Sequence, residues 1–163
     1  MAIYHPPARP HGLLRLGFKL PIALYRVRLG WLLGHRFLLL THRGRTSGRI
    51  YQTVLEVVHH DPATHESAAL SAWGERADWY QNILAHPAIE VRTDGNRYTP
   101  QYRLLGPDER FTTVRQYEKR YGLVFRAVIR AFGYQYDGSD ASLRALADAV
   151  LIVAFRPREV ASR

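Results

Sequence analysis

Apolar and polar positions alternate with two periods along this chain, and the switches between them mark the elements. Phe37 to His42 is apolar on both faces and predicts a buried strand. Ile50 to His60 predicts a second strand, closed by the turn Asp61-Pro62-Ala63-Thr64, and Glu66 to Trp73 a third. Ala77 to Ala85 has helical spacing, with Asp78 near its start and Pro87 just past its end. Ala88 to Thr93 and Arg97 to Leu105 flank Asp94-Gly95-Asn96, a hairpin signal because glycine readily takes positive φ. Pro107-Asp108-Glu109 opens a helix to about Arg120, with proline early and acids in the first turn. Leu123 to Phe132 predicts another helix, broken at Gly133; Ser139 or Asp140 caps a short one to Ala149; Leu151 to Phe155 is a last strand. About six strands with inserted helices and no regular strand–helix alternation make an α+β protein around a small antiparallel barrel.

The segment before this domain differs. Residues 1–34 divide into a tail with Pro6, Pro7 and Pro10, and a Leu13–Leu33 stretch of leucine, aromatic residues and arginine. Arg15, Lys19, Arg26 and Arg28 interrupt it, so it reads neither as a membrane span nor as a signal peptide. On a helix, Arg15, Lys19 and Arg26 fall within about 40° of one another, a basic stripe beside an apolar face. Such a helix either packs on the barrel with its charges in water, the favoured reading, or lies on an anionic membrane surface. Residues 35–163 form the barrel domain.

Composition narrows the chemistry. The chain has 163 residues, one domain's worth, and no cysteine, which excludes disulfides, thiol catalysis and thiolate metal sites. Net charge is +9, carried almost wholly by arginine, so the partners are anionic: a polyanionic small molecule, a membrane or nucleic acid. Neither a helix-turn-helix nor an RNP-like or zinc motif appears, and nucleic acid ranks last. His59, His60 and His65 surround the Asp-Pro turn without a completing ligand pattern, so no metal is expected. A serine–histidine triad lacks its G-x-S-x-G elbow.

The most informative stretch is T-H-R-G-R-T-S-G-R-I-Y, Thr41 to Tyr51, directly after the first strand. Glycine permits tight curvature, and arginine, hydroxyls and backbone amides together can receive an anion; an ordinary hairpin is the alternative. A partner segment follows: Ser71-Ala72-Trp73-Gly74, then Asp78-Trp79-Tyr80-Gln81-Asn82-Ile83-Leu84-Ala85-His86-Pro87. In this order the two segments, from about Phe37 to Arg103, resemble the deazaflavin (coenzyme F-420)-dependent nitroreductase family. The resemblance implies a split β-barrel of the FMN-binding, pyridoxamine-phosphate-oxidase-like kind, usually a homodimer. It implies a cytoplasmic or membrane-associated oxidoreductase that passes hydride from reduced coenzyme F-420, ahead of FMN, to a quinone or nitroaromatic.

Carried over by residue, the resemblance makes Thr41, Arg43, Gly44, Arg45, Thr46, Ser47, Gly48, Tyr51 and Thr53 the cofactor's anion-binding side. Trp73, Trp79 and Asn82 wall its ring, although helical spacing favours the core for Trp79, and Asn82 can instead cap or bridge backbone groups. Ser71 and Tyr121 are the candidates for assisting the acceptor. Thr46, Tyr51 and Ala72 stand where the family often has cations. Either Arg43 and Arg49 substitute, or the deazaflavin is held weakly. The runner-up function is a non-catalytic barrel that carries a lipid, haem or another flat ligand.

Overall fold

The structure, a computed structural model, describes residues 35–158 apart from 72 and 132. The expected N-terminal basic helix lies outside the described residues. Seven strands form one antiparallel sheet: β1 (Phe37–Arg43), β2 (Ile50–Asp61), β3 (Glu66–Ser71), β4 (Glu90–Thr93), β5 (Asn96–Tyr98), β6 (Pro100–Leu104) and β7 (Leu151–Pro157). Among the described residues three α-helices accompany them: α1 (Asp78–Ala85), α2 (Pro107–Ala131) and α3 (Asp140–Ala149).

The sheet order is β5-β4-β1-β2-β3-β7-β6. Its two end strands are consecutive in the chain, separated by Thr99 alone, so the backbone itself joins the two edges and the sheet must curl. The sequence reading made Arg97 to Leu105 one strand; the structure divides it at Thr99. Asn96–Tyr98 completes the hairpin with β4, while Pro100–Leu104 pairs with β7. Proline at the first residue of β6 suits this change of partner, because it has no N–H to give to a ladder. A second bend is built into β2, whose register shifts between Val57 and His59. Ile50 to Glu56 pair with β1, and Val57 and the residues beyond the shift pair with β3. Antiparallel pairing, a curled sheet and inserted helices make the split β-barrel that the resemblance implies.

Two cores result. Leu38, Leu40, Leu55, Val91, Val153 and Phe155 point into the barrel, where Trp79 and Ile83 of α1 close one end. On the opposite face Ala68, Ile152 and Ala154 meet Val114, Tyr117 and Phe125 of α2 with Leu143 and Leu146 of α3. β7 therefore feeds alternate residues to different cores, which is why all of Leu151 to Phe155 is buried. Complete burial of Phe155 contributes about 2–3 kcal/mol against leaving it in water.

The two helices expected over Pro107 to Phe132 run together as α2. Tyr121 sits between them at φ −125°, ψ 18°, outside helical geometry, with Gly122 next, so the expected break survives as a kink. Ser139 caps α3 by accepting a hydrogen bond from the Ser142 amide. No described helix is long and apolar enough to cross a membrane.

Candidate functional site

β1 runs out of the barrel into the turn 44–49, which folds back as β2. Gly44 N–H donates to Arg49 O at 2.8 Å and Gly48 N–H to Gly44 O at 2.9 Å, closing a tight loop in which Gly48 takes φ 66°. A Cβ on Gly44 would lie 2.6 Å from the Tyr51 ring and 2.7 Å from Ser47 Oγ, so glycine lets that ring lie against the backbone. Ser47 Oγ and Tyr51 Oη are 3.0 Å apart, and the Arg49 amide donates to Ser47 Oγ. Arg45 N–H is also taken, by Asn82 Oδ1 at 3.0 Å. The turn thus spends its Gly44, Arg45, Gly48 and Arg49 amides internally. Among the described residues the amides of Thr46 and Ser47 meet no acceptor.

Asn82 ties this turn to α1. Its Oδ1 receives both Arg45 N–H and Arg45 Nη1, at 3.0 and 3.1 Å, while Arg45 Nη2 reaches Asp78 Oδ1 at 3.1 Å. Two donors on one atom identify that atom as the oxygen, so Asn82 Nδ2 is the donor to His42 Nδ1 at 3.1 Å. His42 Nε2 then carries the ring proton and donates to Thr53 Oγ1 at 3.0 Å. His42 is only 2% exposed, and burial lowers its pKa, with the Asp78 carboxylate acting in the opposite direction. Protonation at Nδ1 would also set one N–H against another.

Between the turn, the start of β2 and α1 lies a cleft of about 430 Å³, within the usual range of small-molecule sites. It brings together Gly44, Arg45, Thr46, Ser47, Tyr51, Thr53, Trp79 and Asn82 of the expected set. It also takes in His42, Gln52 and Asp78, which the sequence reading left out. His42 had a readable signal: on alternation it continues the face of Leu38 and Leu40, a polar group in a buried register beside a cationic turn.

The remaining expected residues fall elsewhere. Thr41 is buried beside the turn, its Oγ1 without a hydrogen-bond partner, and its carbonyl accepts from Ile89 N–H. Arg43 and Gly48 belong to the strand end and the turn but do not line the cleft. Trp73 packs against the barrel core. Ser71 is buried, donates to Gly74 O at 2.8 Å and lines a different cavity of about 50 Å³ beneath α2 and α3. Tyr121, at the α2 kink, lies 4.8 Å from the Tyr117 ring with the Arg36 and Arg120 guanidinium groups over it. Neither acceptor-side candidate is among the cleft residues. Among the described residues no group of histidines and acids could hold a metal ion.

The donor set suits an elongated polyanion with a flat head. Thr46 and Ser47, whose amides are unspent, line the cleft with the hydroxyl-bearing Tyr51 and Thr53, and Arg43 and Arg49 flank the turn exposed, without an acid partner among the described residues. The Arg45 guanidinium commits two N–H groups to Asn82 and Asp78, which leaves three of its five. The half-exposed Tyr51 ring lines the cleft, whereas Trp79, only 6% exposed, reaches it from the barrel core and packs on Tyr80 and Phe155.

The family described as F420H(2)-dependent quinone reductase matches residues 25–122, which takes in the turn, the cleft and α1. None of the curated proteins matches. Among solved structures, an F420-H2 dependent reductase (FDR-A) is 18% identical, with 74% of this chain and 93% of that one covered and a TM-score of 0.47. The haem storage protein HutZ from Vibrio cholerae is 12% identical over 83% of this chain and 90% of its own, with a TM-score of 0.46. A pyridoxamine 5'-phosphate oxidase-related, FMN-binding protein from Nostoc punctiforme is 15% identical over 90% and 81%, with a TM-score of 0.47.

Proposed function

This chain belongs to the F420H(2)-dependent quinone reductase family, its cofactor is coenzyme F-420 and its chemistry that of an oxidoreductase; from there we propose that it reduces a quinone, with the cofactor held in the cleft between residues 44–48 and α1. The observation that carries this reading is the pair of uncommitted amides, Thr46 and Ser47, at the rim of a cleft with aromatic and hydroxyl-bearing walls. Reduced deazaflavin supplies a hydride equivalent when bound, so the protein's task is to hold, orient and exclude water.

Thr46 N–H and Ser47 N–H are the phosphate donors of this proposal, with Arg43, Arg49 and the free part of the Arg45 guanidinium supplying the surrounding positive field. Tyr51 is the aromatic surface that meets a planar ring, and Thr53 and Gln52 are the polar groups at its edge. Tyr51, an exposed aromatic side chain on the cleft wall, favours an apolar acceptor such as a quinone over a charged one. Ser71 and Tyr121 have no assigned contact in this arrangement. Homodimer formation and contact of residues 1–34 with anionic lipid belong to the same proposal; the first rests on the split-barrel resemblance, the second on Arg15, Lys19 and Arg26, the charges that would meet the lipid. The carrier alternative would use the same cleft, since the cavity of about 50 Å³ beneath α2 and α3 is far smaller than a haem or a fatty acid.

Fluorescence titrations with coenzyme F-420, FMN and haem in parallel test the reading. Saturable deazaflavin binding, followed by quinone-dependent oxidation of the reduced form, is expected. Thr46→Glu places a carboxylate at the open amides without disturbing a described bond, and weakens deazaflavin at least about tenfold. Tight binding of haem or FMN alone, or an indifferent Thr46→Glu protein, refutes it.

A further inference from the structure

The cleft contains a polar relay that the phosphate-binding turn does not need for its own closure. Arg45 sets the Asn82 amide, Asn82 sets the His42 tautomer, and His42 Nε2–H occupies a lone pair of Thr53 Oγ1. A hydroxyl that already accepts has its own proton to spend, and Thr53 Oγ1–H has no acceptor among the described residues. Thr53 lines the cleft. We infer that His42 is a positioning residue: through Thr53 it presents one fixed hydroxyl donor to an anionic or carbonyl oxygen of the molecule bound in the cleft.

The inference deepens the proposed function and rests on it for the ligand, though not for the tautomer. Its physical content is directionality. A lone threonine hydroxyl rotates between donor and acceptor roles, whereas one that accepts an imidazole N–H has its own proton turned away from the ring and free to be donated. The ring cannot easily reverse. Turning the Asn82 amide over would put its NH₂ against the two Arg45 donors. The charged and titratable groups around His42 leave this order intact. Asp78 on α1 is held by Arg45, Tyr51 on β2 stacks on the imidazole at 6.1 Å, and Glu90 on β4 is engaged by Arg92 and Arg97.

Asn82→Asp tests the relay because a carboxylate accepts where the amide donates. It keeps both Arg45 bonds, pulls the ring proton to Nδ1, and turns Nε2 into an acceptor that captures the Thr53 proton. Three measurements follow. Imidazole ¹⁵N shifts report an Nε2–H ring for His42 in the native protein and an Nδ1–H ring in the Asn82→Asp protein. Thr53→Val weakens deazaflavin about tenfold in the native protein, the worth of a charge-assisted bond. In the Asn82→Asp background, where the added charge weakens binding in its own right, Thr53→Val costs less than about twofold. An Nδ1–H ring in the native protein overturns the relay, and so does an equal Thr53→Val cost in both backgrounds. A protein that shows the tautomers but no deazaflavin binding keeps the relay and refutes the cofactor assignment instead.

Discussion

Removing the Asn82 side chain is the sharpest way to ask what holds the turn against α1. Asn82 is 5% exposed and makes three hydrogen bonds, to Arg45 N, Arg45 Nη1 and His42 Nδ1. Each contributes about 0.5–1.5 kcal/mol net, and the buried His42 nitrogen and the Arg45 amide would be left without partners. Asn82→Ala should therefore cost about 2–4 kcal/mol, less roughly 0.6 kcal/mol because alanine is the better helix former in α1. For a domain of this size that is a fall in Tm of about 5–12 °C. Arg45→Ala is the control. It keeps the backbone bond to Asn82 and loses the Nη1 bond to Asn82 and the half-exposed ion pair with Asp78, together about 0.5–2 kcal/mol. Urea unfolding of both proteins, at constant m-value, reads the difference. An Asn82→Ala cost equal to or below that of Arg45→Ala would refute the hub, since the turn would then be held by its own backbone bonds.

Further outcomes follow from single groups. Tyr98 packs on the barrel core with its Oη buried and unpartnered, so Tyr98→Phe should raise stability by about 1 kcal/mol, measured by the urea midpoint. Burial pushes the Tyr98 phenol up to about 12, so above pH 10 the unfolded chain loses that proton while the folded one keeps it. Stability should therefore fall between pH 10 and 12, and less steeply in the Phe protein. Burial lowers the His42 and His60 pKa values, the His60 ring also lying against His35 at 4.0 Å. The unfolded chain then binds more protons below about pH 6.5, so stability is complete above that value and declines as pH falls. His42→Gln should flatten part of that decline in a pH series of melting curves; an unaltered acid limb would show that His42 is not buried neutral. Phe155→Ala, which empties the centre of the barrel, should cost about 3–5 kcal/mol.

Much of this protein was legible along the chain because its signals are local. Both-face burial of Leu38 to Leu40, the Asp-Gly-Asn hairpin, the proline and acids opening α2 and the serine cap of α3 each depend on neighbours within a few residues. The motif order from Thr41 to Pro87 likewise carried the family and, with it, the cofactor. Sheet closure was not legible. Whether residues 97–105 form one strand or two depends on which distant edges meet at Thr99, and both edges offer the same backbone groups. The tautomer of His42 was beyond reach for the same reason. It depends on Asn82, forty residues away, whose orientation depends in turn on the return of Arg45 across the cleft. Ser71, inside the motif region, and Tyr121, at the α2 kink, lie in different surroundings from the cleft because the sheet has two faces and the chain order does not say which face a ligand shares. Composition and periodicity thus determined which elements exist and what kind of molecule they attract. Only the tertiary structure, by bringing donors and acceptors from separate strands within 3 Å, decided which of those groups remain free to meet it.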